Sequence, residues 1–310
     1  MRPIAVAAAP VLLALACRGE SSLATRQTSL LVREITPPPG TLALPLRDGS
    51  VRFAVIGDSG RGDEAQHAVA RQMIEWRQRF PFTFVLMLGD NIYPPHAPDD
   101  YRKKFEEPYR GLLDAHVEFR AAIGNHDEPD EIFYKGFNMG GRRYYTFRDG
   151  EEGLKGLTGA GARFFALDSR SFDRTQLAWL KQALGASRSR WKIVYFHHPL
   201  YTSGRYQAGA RLLRAALEPI LVDGDVDLVL SGHEHFYERL VPQRGIAHFI
   251  SGGAGSLRRG DIRPSAIMAR GFDTDYHFLM MEIAGDELWF QAIDRTGATI
   301  DAGVITRRAP

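Results

Sequence analysis

Five short segments of this 310-residue chain carry side chains able to hold a cation. They read Gly57-Asp58-Ser59-Gly60, Gly89-Asp90-Asn91-Ile92-Tyr93, Gly124-Asn125-His126-Asp127, Tyr195-Phe196-His197-His198 and Gly232-His233-Glu234-His235. Their donors are carboxylates, a phenol, an amide and imidazoles, with no sulfur among them. Such a set suits hard or borderline cations, not a metal that prefers thiolate. Each segment alone is a weak signal. A Gly-Asp pair after a strand is commonly a turn or a helix cap, and His-x-His also arises where alternate strand residues share a face. The weight lies in the ordered conjunction of five such segments, each placed just after an apolar run.

Those apolar runs define the elements that must position the donors. Strands are expected over residues 52–56, 82–88, 118–123, 163–167, 191–196 and 226–230. Between them, apolar residues at Ala65, Val69, Met73 and Trp76 have helical spacing over 63–79, and helices are also expected over 175–184 and 208–221. This alternation predicts an α/β fold with parallel strands at its centre. Further strands are expected over 248–250, 277–283 and 288–293. In open α/β sheets the carboxyl ends of parallel strands face one crevice, so the five segments should meet there. A glycine before four of the donor sets lets the chain leave its strand sharply and approach a metal or phosphate closely.

The blocks GD, GDNIY, GNHD, VYFH and GHEH, in this order, resemble the signature blocks of the calcineurin-like metallophosphoesterases. The resemblance spans Phe53 to at least Gly253. The first block lacks the histidine that many members carry, while Tyr93 follows Asp90 by three residues; that exchange resembles the purple acid phosphatases of the small, tartrate-resistant type. The resemblance implies an α/β sandwich with two central mixed β-sheets flanked by helices. It implies that Asp58, Asp90, Tyr93 and His235 hold one metal, and that Asp90 bridges to a second held by Asn125, His197 and His233. On that assignment the first site is the more anionic and suits Fe(III), and the second suits Zn(II), Fe(II) or Mn(II). His126 matches a non-ligand histidine expected to stabilise the transition state or protonate the leaving oxygen, with Asp127 expected to orient its ring. The implied reaction is hydrolysis of phosphate monoesters by a hydroxide that the metal pair makes available. A phosphodiesterase on the same metals, and a non-catalytic binder of phosphate or metal, are the competing readings. The chain departs from the better-known purple acid phosphatases in one respect. They carry another histidine shortly after the fourth block, where this chain has Gly204-Arg205-Tyr206-Gln207. Arg205, Tyr206 and the adjacent His198 are the candidates for phosphate contact.

Composition narrows the remaining classes. With 39 basic and 37 acidic residues the net charge is +2, which gives no electrostatic reason to expect a nucleic-acid partner. One cysteine, Cys17, excludes an internal disulfide framework and a Cys-rich zinc site. It follows Arg2 and an apolar run over residues 4–16, too short for a span of about 20 residues but fitting an export signal. Ala14-Leu15-Ala16-Cys17 resembles a bacterial lipoprotein signal, so export to the periplasm or envelope is expected, with a lipid on Cys17 as the sole membrane contact. Residues 1–17 are thus read as a signal, 18–47 as a proline-containing tether and 48–310 as one catalytic domain. The mixed charge run over 99–107 is read as a solvated helix face.

Overall fold

The computed structural model describes residues 30–149 and 161–307. The expected signal, with Cys17, and the first part of the expected tether lie outside the described residues. The strands are β1 (Leu30–Glu34), β2 (Val51–Ile56), β3 (Phe84–Met87), β4 (Glu118–Ala121), β5 (Tyr145–Asp149), β6 (Ala162–Ala166) and β7 (Trp191–Phe196). They continue as β8 (Leu228–Ser231), β9 (Tyr237–Leu240), β10 (Ala247–Ser251), β11 (Met268–Phe272), β12 (His277–Ala284), β13 (Glu287–Asp294) and β14 (Thr299–Arg307). Helices are α1 (Glu64–Arg77), α2 (Arg110–Asp114), α3 (Arg174–Ala186) and α4 (Gln207–Asp223), with a π-helical turn at Arg102–Glu106.

Two seven-stranded sheets form among these residues, in the orders β1-β14-β13-β12-β2-β3-β4 and β11-β9-β10-β8-β7-β6-β5. Each is mixed. In the first, β2, β3 and β4 run parallel and the rest antiparallel. In the second, β10, β8, β7 and β6 form the parallel centre. The expected sandwich with a parallel centre is therefore present, split between two sheets.

Strand alternation explains how the sheets stack. In β6, Phe164 points between the sheets, where its ring lies 5.3 Å from both Phe53 and Phe84. Its neighbour Phe165 points the other way, into a cluster with Leu180 and Leu184 of α3 and Leu217 and Leu221 of α4. This period of two buries both faces of the second sheet, which is why its central strands read as unbroken apolar runs. Helix α1 starts at Asp63, whose carboxylate accepts from the Gln66 backbone N–H at 3.1 Å. It buries Val69, Ala70, Met73 and Trp76.

Two expectations are corrected. The segment read as a tether belongs to the fold from Leu30 onward. Strand β1 pairs antiparallel with β14, with Leu30 and Val32 packed against the core. Further on, the Ala43 N–H donates to Gln291 Oε1 at 2.8 Å, and the Leu46 and Arg47 N–H groups donate to the buried Glu282 carboxylate. The charge run at 99–107 is only partly solvated. Lys104 and Phe105 turn inward, and the Lys104 ammonium donates to the Tyr93 and Pro95 carbonyls and to Asp100.

Candidate metal centre

The five donor segments lie at the carboxyl ends of β2, β3 and β4 in one sheet and β7 and β8 in the other. The chain leaves three of these strands through non-glycine residues at positive φ: Asp58 (56°), Asp90 (54°) and His233 (68°). Non-glycine residues there are uncommon and strained, and such strain gathers at functional sites. Gly89, at φ 91°, sits so close to the His197 ring that a Cβ would lie 2.7 Å from Nδ1. At Gly124 a Cβ would lie 2.2 Å from Asp90 Oδ1. Glycine at these two positions lets the loops close on the donors.

Two donor clusters result. In the first, Asp58 Oδ1 lies 3.1 Å from His235 Nε2, and the Tyr93 hydroxyl is 3.3 Å from Asp58 Oδ1 and 3.1 Å from His235 Nε2. Asp90 belongs to this cluster through a carboxylate oxygen. In the second, His197 Nε2 lies 3.0 Å from Asn125 Oδ1, 3.2 Å from His233 Nδ1 and 3.4 Å from Asp90 Oδ1. Asp90 thus stands between the clusters, as expected of a bridging carboxylate. Asp58, Asp90, Tyr93, His197 and His235 are buried, while Asn125 and His126 are exposed at the mouth.

The arrangement fits cations. His197 Nδ1 lies 2.9 Å from the Leu88 carbonyl, which only accepts, so Nδ1 carries the proton. Nε2 faces three groups that each carry a lone pair: the Asn125 amide oxygen, the Asp90 carboxylate and His233 Nδ1. Lone pairs turned toward one another beside the buried Asp90 and His197 are stabilised by a positive charge between them. Charge points the same way. Burial pushes the Asp58 carboxyl up to about 8, with the nearby Asp90 charge adding to it. Burial, followed by the Asp58 and Asp90 charges, holds the Tyr93 phenol far above its usual range, so a phenolate there requires a strong cation. Burial also lowers His233 to about 2 and His235 to about 4, which keeps both neutral and ready to ligate.

The other expected site residues divide. His126 is at the mouth, its ring 4.8 Å from that of Tyr93 and its backbone N–H donating to Asp90 Oδ1 at 2.9 Å. Asp127 does not orient the His126 ring. Its carboxylate accepts from the backbone N–H groups of Asn91, Ile92 and Gly124 and from Asn91 Nδ2, at 2.6–3.0 Å. It pins the second and third donor loops together, a use set by loops that converge only in the fold. His198 joins the second cluster, its ring 4.4 Å from His233 and its Nδ1 2.9 Å from Ser169 Oγ. Because β7 ends at Phe196, His197 and His198 lie in a bend and are free of strand alternation. Arg205 is not brought to the site; it is exposed and paired with Asp261. Tyr206 is brought there, its ring 4.1 Å from that of His233. His248, a further histidine, is buried in β10 against Tyr201 and away from the site residues.

Three supporting residues were not anticipated. Asn91 bonds the Ala122 carbonyl and Asp127, and its place beside a ligand was the only signal for it. Glu234, between two ligand histidines, accepts from Thr202 Oγ1 and from the Tyr206 N–H, both at 3.0 Å, and so places Tyr206. Lys104 anchors the Tyr93 carbonyl, with no signal in the sequence.

Comparison with known proteins agrees with this geometry. Residues 51–237 match the family described as calcineurin-like phosphoesterase. Purple acid phosphatase 17 of Arabidopsis thaliana is 30% identical over 71% of this chain and 73% of its own length. Human tartrate-resistant acid phosphatase type 5 is 26% identical over 86% of this chain and 96% of its own. Among solved structures, a purple acid phosphatase from yellow lupin seeds superposes with a TM-score of 0.67 at 17% identity, covering 88% of this chain and 55% of its own. GAP50, described as the anchor in the inner membrane complex of Plasmodium, superposes at 0.70 with 19% identity, over 84% of this chain and 90% of its own. The two superpositions establish a shared fold.

Proposed function

The chain belongs to the calcineurin-like phosphoesterase family, and on that premise we propose that it hydrolyses phosphate monoesters as a purple acid phosphatase. The observation that carries this reading is Asp90, placed between an Asp58–Tyr93–His235 cluster and an Asn125–His197–His233 cluster. In this reading the first cluster holds Fe(III) and the second Zn(II), Fe(II) or Mn(II). When bound, the pair supplies Lewis acidity to the phosphoryl oxygens and a nucleophilic oxygen below neutral pH.

The chain's own residues do the rest. The neutral imidazoles of His233 and His235 present lone pairs without first losing a proton. The Leu88 carbonyl fixes the His197 ring so that Nε2 faces inward. His126, exposed and with its ring 4.8 Å from that of Tyr93, would pass a proton to the departing ester oxygen. The Asp127 clamp on two donor loops keeps Asp90, Asn125 and His126 in register.

Two finer readings accompany this one. Residues 1–17 act as an export signal to the bacterial envelope, and Cys17 carries a lipid anchor. Among the described residues no helix is long and apolar enough to cross a membrane. A Cys17→Ser protein should move from the membrane to the soluble fraction; if it stays with the membrane, the anchor lies elsewhere. The catalytic reading is tested by turnover of p-nitrophenyl phosphate and of bis(p-nitrophenyl) phosphate by metal-loaded protein at mildly acidic pH. Faster monoester hydrolysis is expected. Diester preference would favour a phosphodiesterase, and no turnover of either would favour a non-catalytic binder.

A further inference from the structure

The loop after β10 crosses over the turns that carry the ligands. The Ala254 N–H donates to the Gly57 carbonyl and the Arg258 N–H to the His235 carbonyl, each at 3.1 Å. Arg258 is therefore fixed at its backbone to a ligand residue. Its guanidinium lies 5.5 Å from the Tyr206 ring centroid, and the Tyr206 ring lies 4.1 Å from that of His233. Two buried glutamates hold this side of the mouth: Glu234 grips Thr202 and Tyr206, and Glu238 accepts from the Ser203 N–H at 2.9 Å.

Arg258 itself is half-buried, and among the described residues no carboxylate forms an ion pair with it. Its Nη1 is buried without a hydrogen-bond partner. A buried guanidinium N–H left unpaired is costly, so its partner is expected to arrive from outside the chain. Two neighbouring cations have partners within the chain. Arg205 is paired with Asp261. Arg61 lies 3.7 Å over the Tyr93 ring, with its Nε donating to Ser256 Oγ at 2.9 Å.

We propose that Arg258 binds a non-bridging oxygen of the substrate's phosphoryl group and, by favouring a free and fully charged oxygen there, selects monoester dianions over diesters. The inference rests on the phosphoesterase reading. Guanidinium is suited to the task because its planar donors match phosphate oxygens. A diester carries one charge fewer and presents an alkylated oxygen, so the same contact gains less with it. Arg258 would then serve on the side where Arg205-Tyr206-Gln207 lacks the histidine of the better-known purple acid phosphatases.

The test uses metal-loaded wild type, Arg258→Met and Arg258→Lys, with calorimetric binding of inorganic phosphate and kcat/KM for both nitrophenyl esters. Arg258→Met should weaken phosphate binding by about tenfold to a hundredfold. It should lower monoester kcat/KM at least as much and leave diester turnover near wild type, with Arg258→Lys between. Metal content should not change in either variant. Unchanged phosphate affinity in Arg258→Met, or an equal loss on both esters, would overturn the proposal. Failure of the phosphoesterase reading shows earlier, as wild-type protein that hydrolyses neither ester and ignores phosphate, and it would overturn the proposal as well.

Discussion

At the scale of single residues, Asp90 matters most, because it faces both donor clusters. Asp90→Ala should lose both metals, whereas Asp58→Ala removes a donor from the first cluster alone. Metal analysis after dialysis checks this, and a full two-metal complement in Asp90→Ala would contradict a bridging role. The candidate ligands were legible in the sequence because each combines a donor type with a fixed place after a strand. Residues that serve the ligands were less so. Lys104 binds the Tyr93 carbonyl from a separate helical turn, and nothing in the run Asp99-Asp100-Tyr101-Arg102-Lys103-Lys104 distinguishes it from its solvated neighbours. Asp127 was assigned to the ring next to it, yet its hydrogen bonds come mainly from residues that lie far away along the chain.

At the scale of elements, β2, β3, β7 and β8 were legible as apolar runs because they are buried on both faces. Strand β1 was not. Its Leu-Leu-Val-Arg-Glu is short, lies at a sheet edge and follows a polar stretch, so it reads like the spacer around it. Its role comes from β14, which would otherwise leave an unpaired edge. A charge at Val32 should therefore unsettle the edge without reaching the donors. Val32→Asp is expected to cost roughly 2 kcal/mol, seen as a lower urea midpoint with unchanged metal content. An unchanged midpoint would mean that β1 adds no stability.

At the scale of the whole molecule, two mixed sheets stack through Phe53, Phe84 and Phe164, so donors from both meet at one end. The same burial has a consequence in acid. His277 is fully buried, and burial lowers its pKa to about 3, against about 6.5 when unfolded. The folded form refuses a proton that the unfolded chain accepts. This contribution is intact above about pH 6.5 and is lost as pH falls toward 3, by about 1.4 kcal/mol per pH unit. His277→Leu should flatten the fall in stability between pH 6 and pH 4, read from urea midpoints at each pH; an unchanged slope would show that His277 does not titrate this way. The central claim is a dinuclear centre with Tyr93 as a phenolate ligand to iron. Metal analysis and the visible spectrum of the purified protein, wild type beside Tyr93→Phe, test it most directly. The account predicts two metals per chain, at least one of them iron, and a charge-transfer band that Tyr93→Phe abolishes. A fully loaded wild-type protein without that band, or a band that survives in Tyr93→Phe, would contradict it.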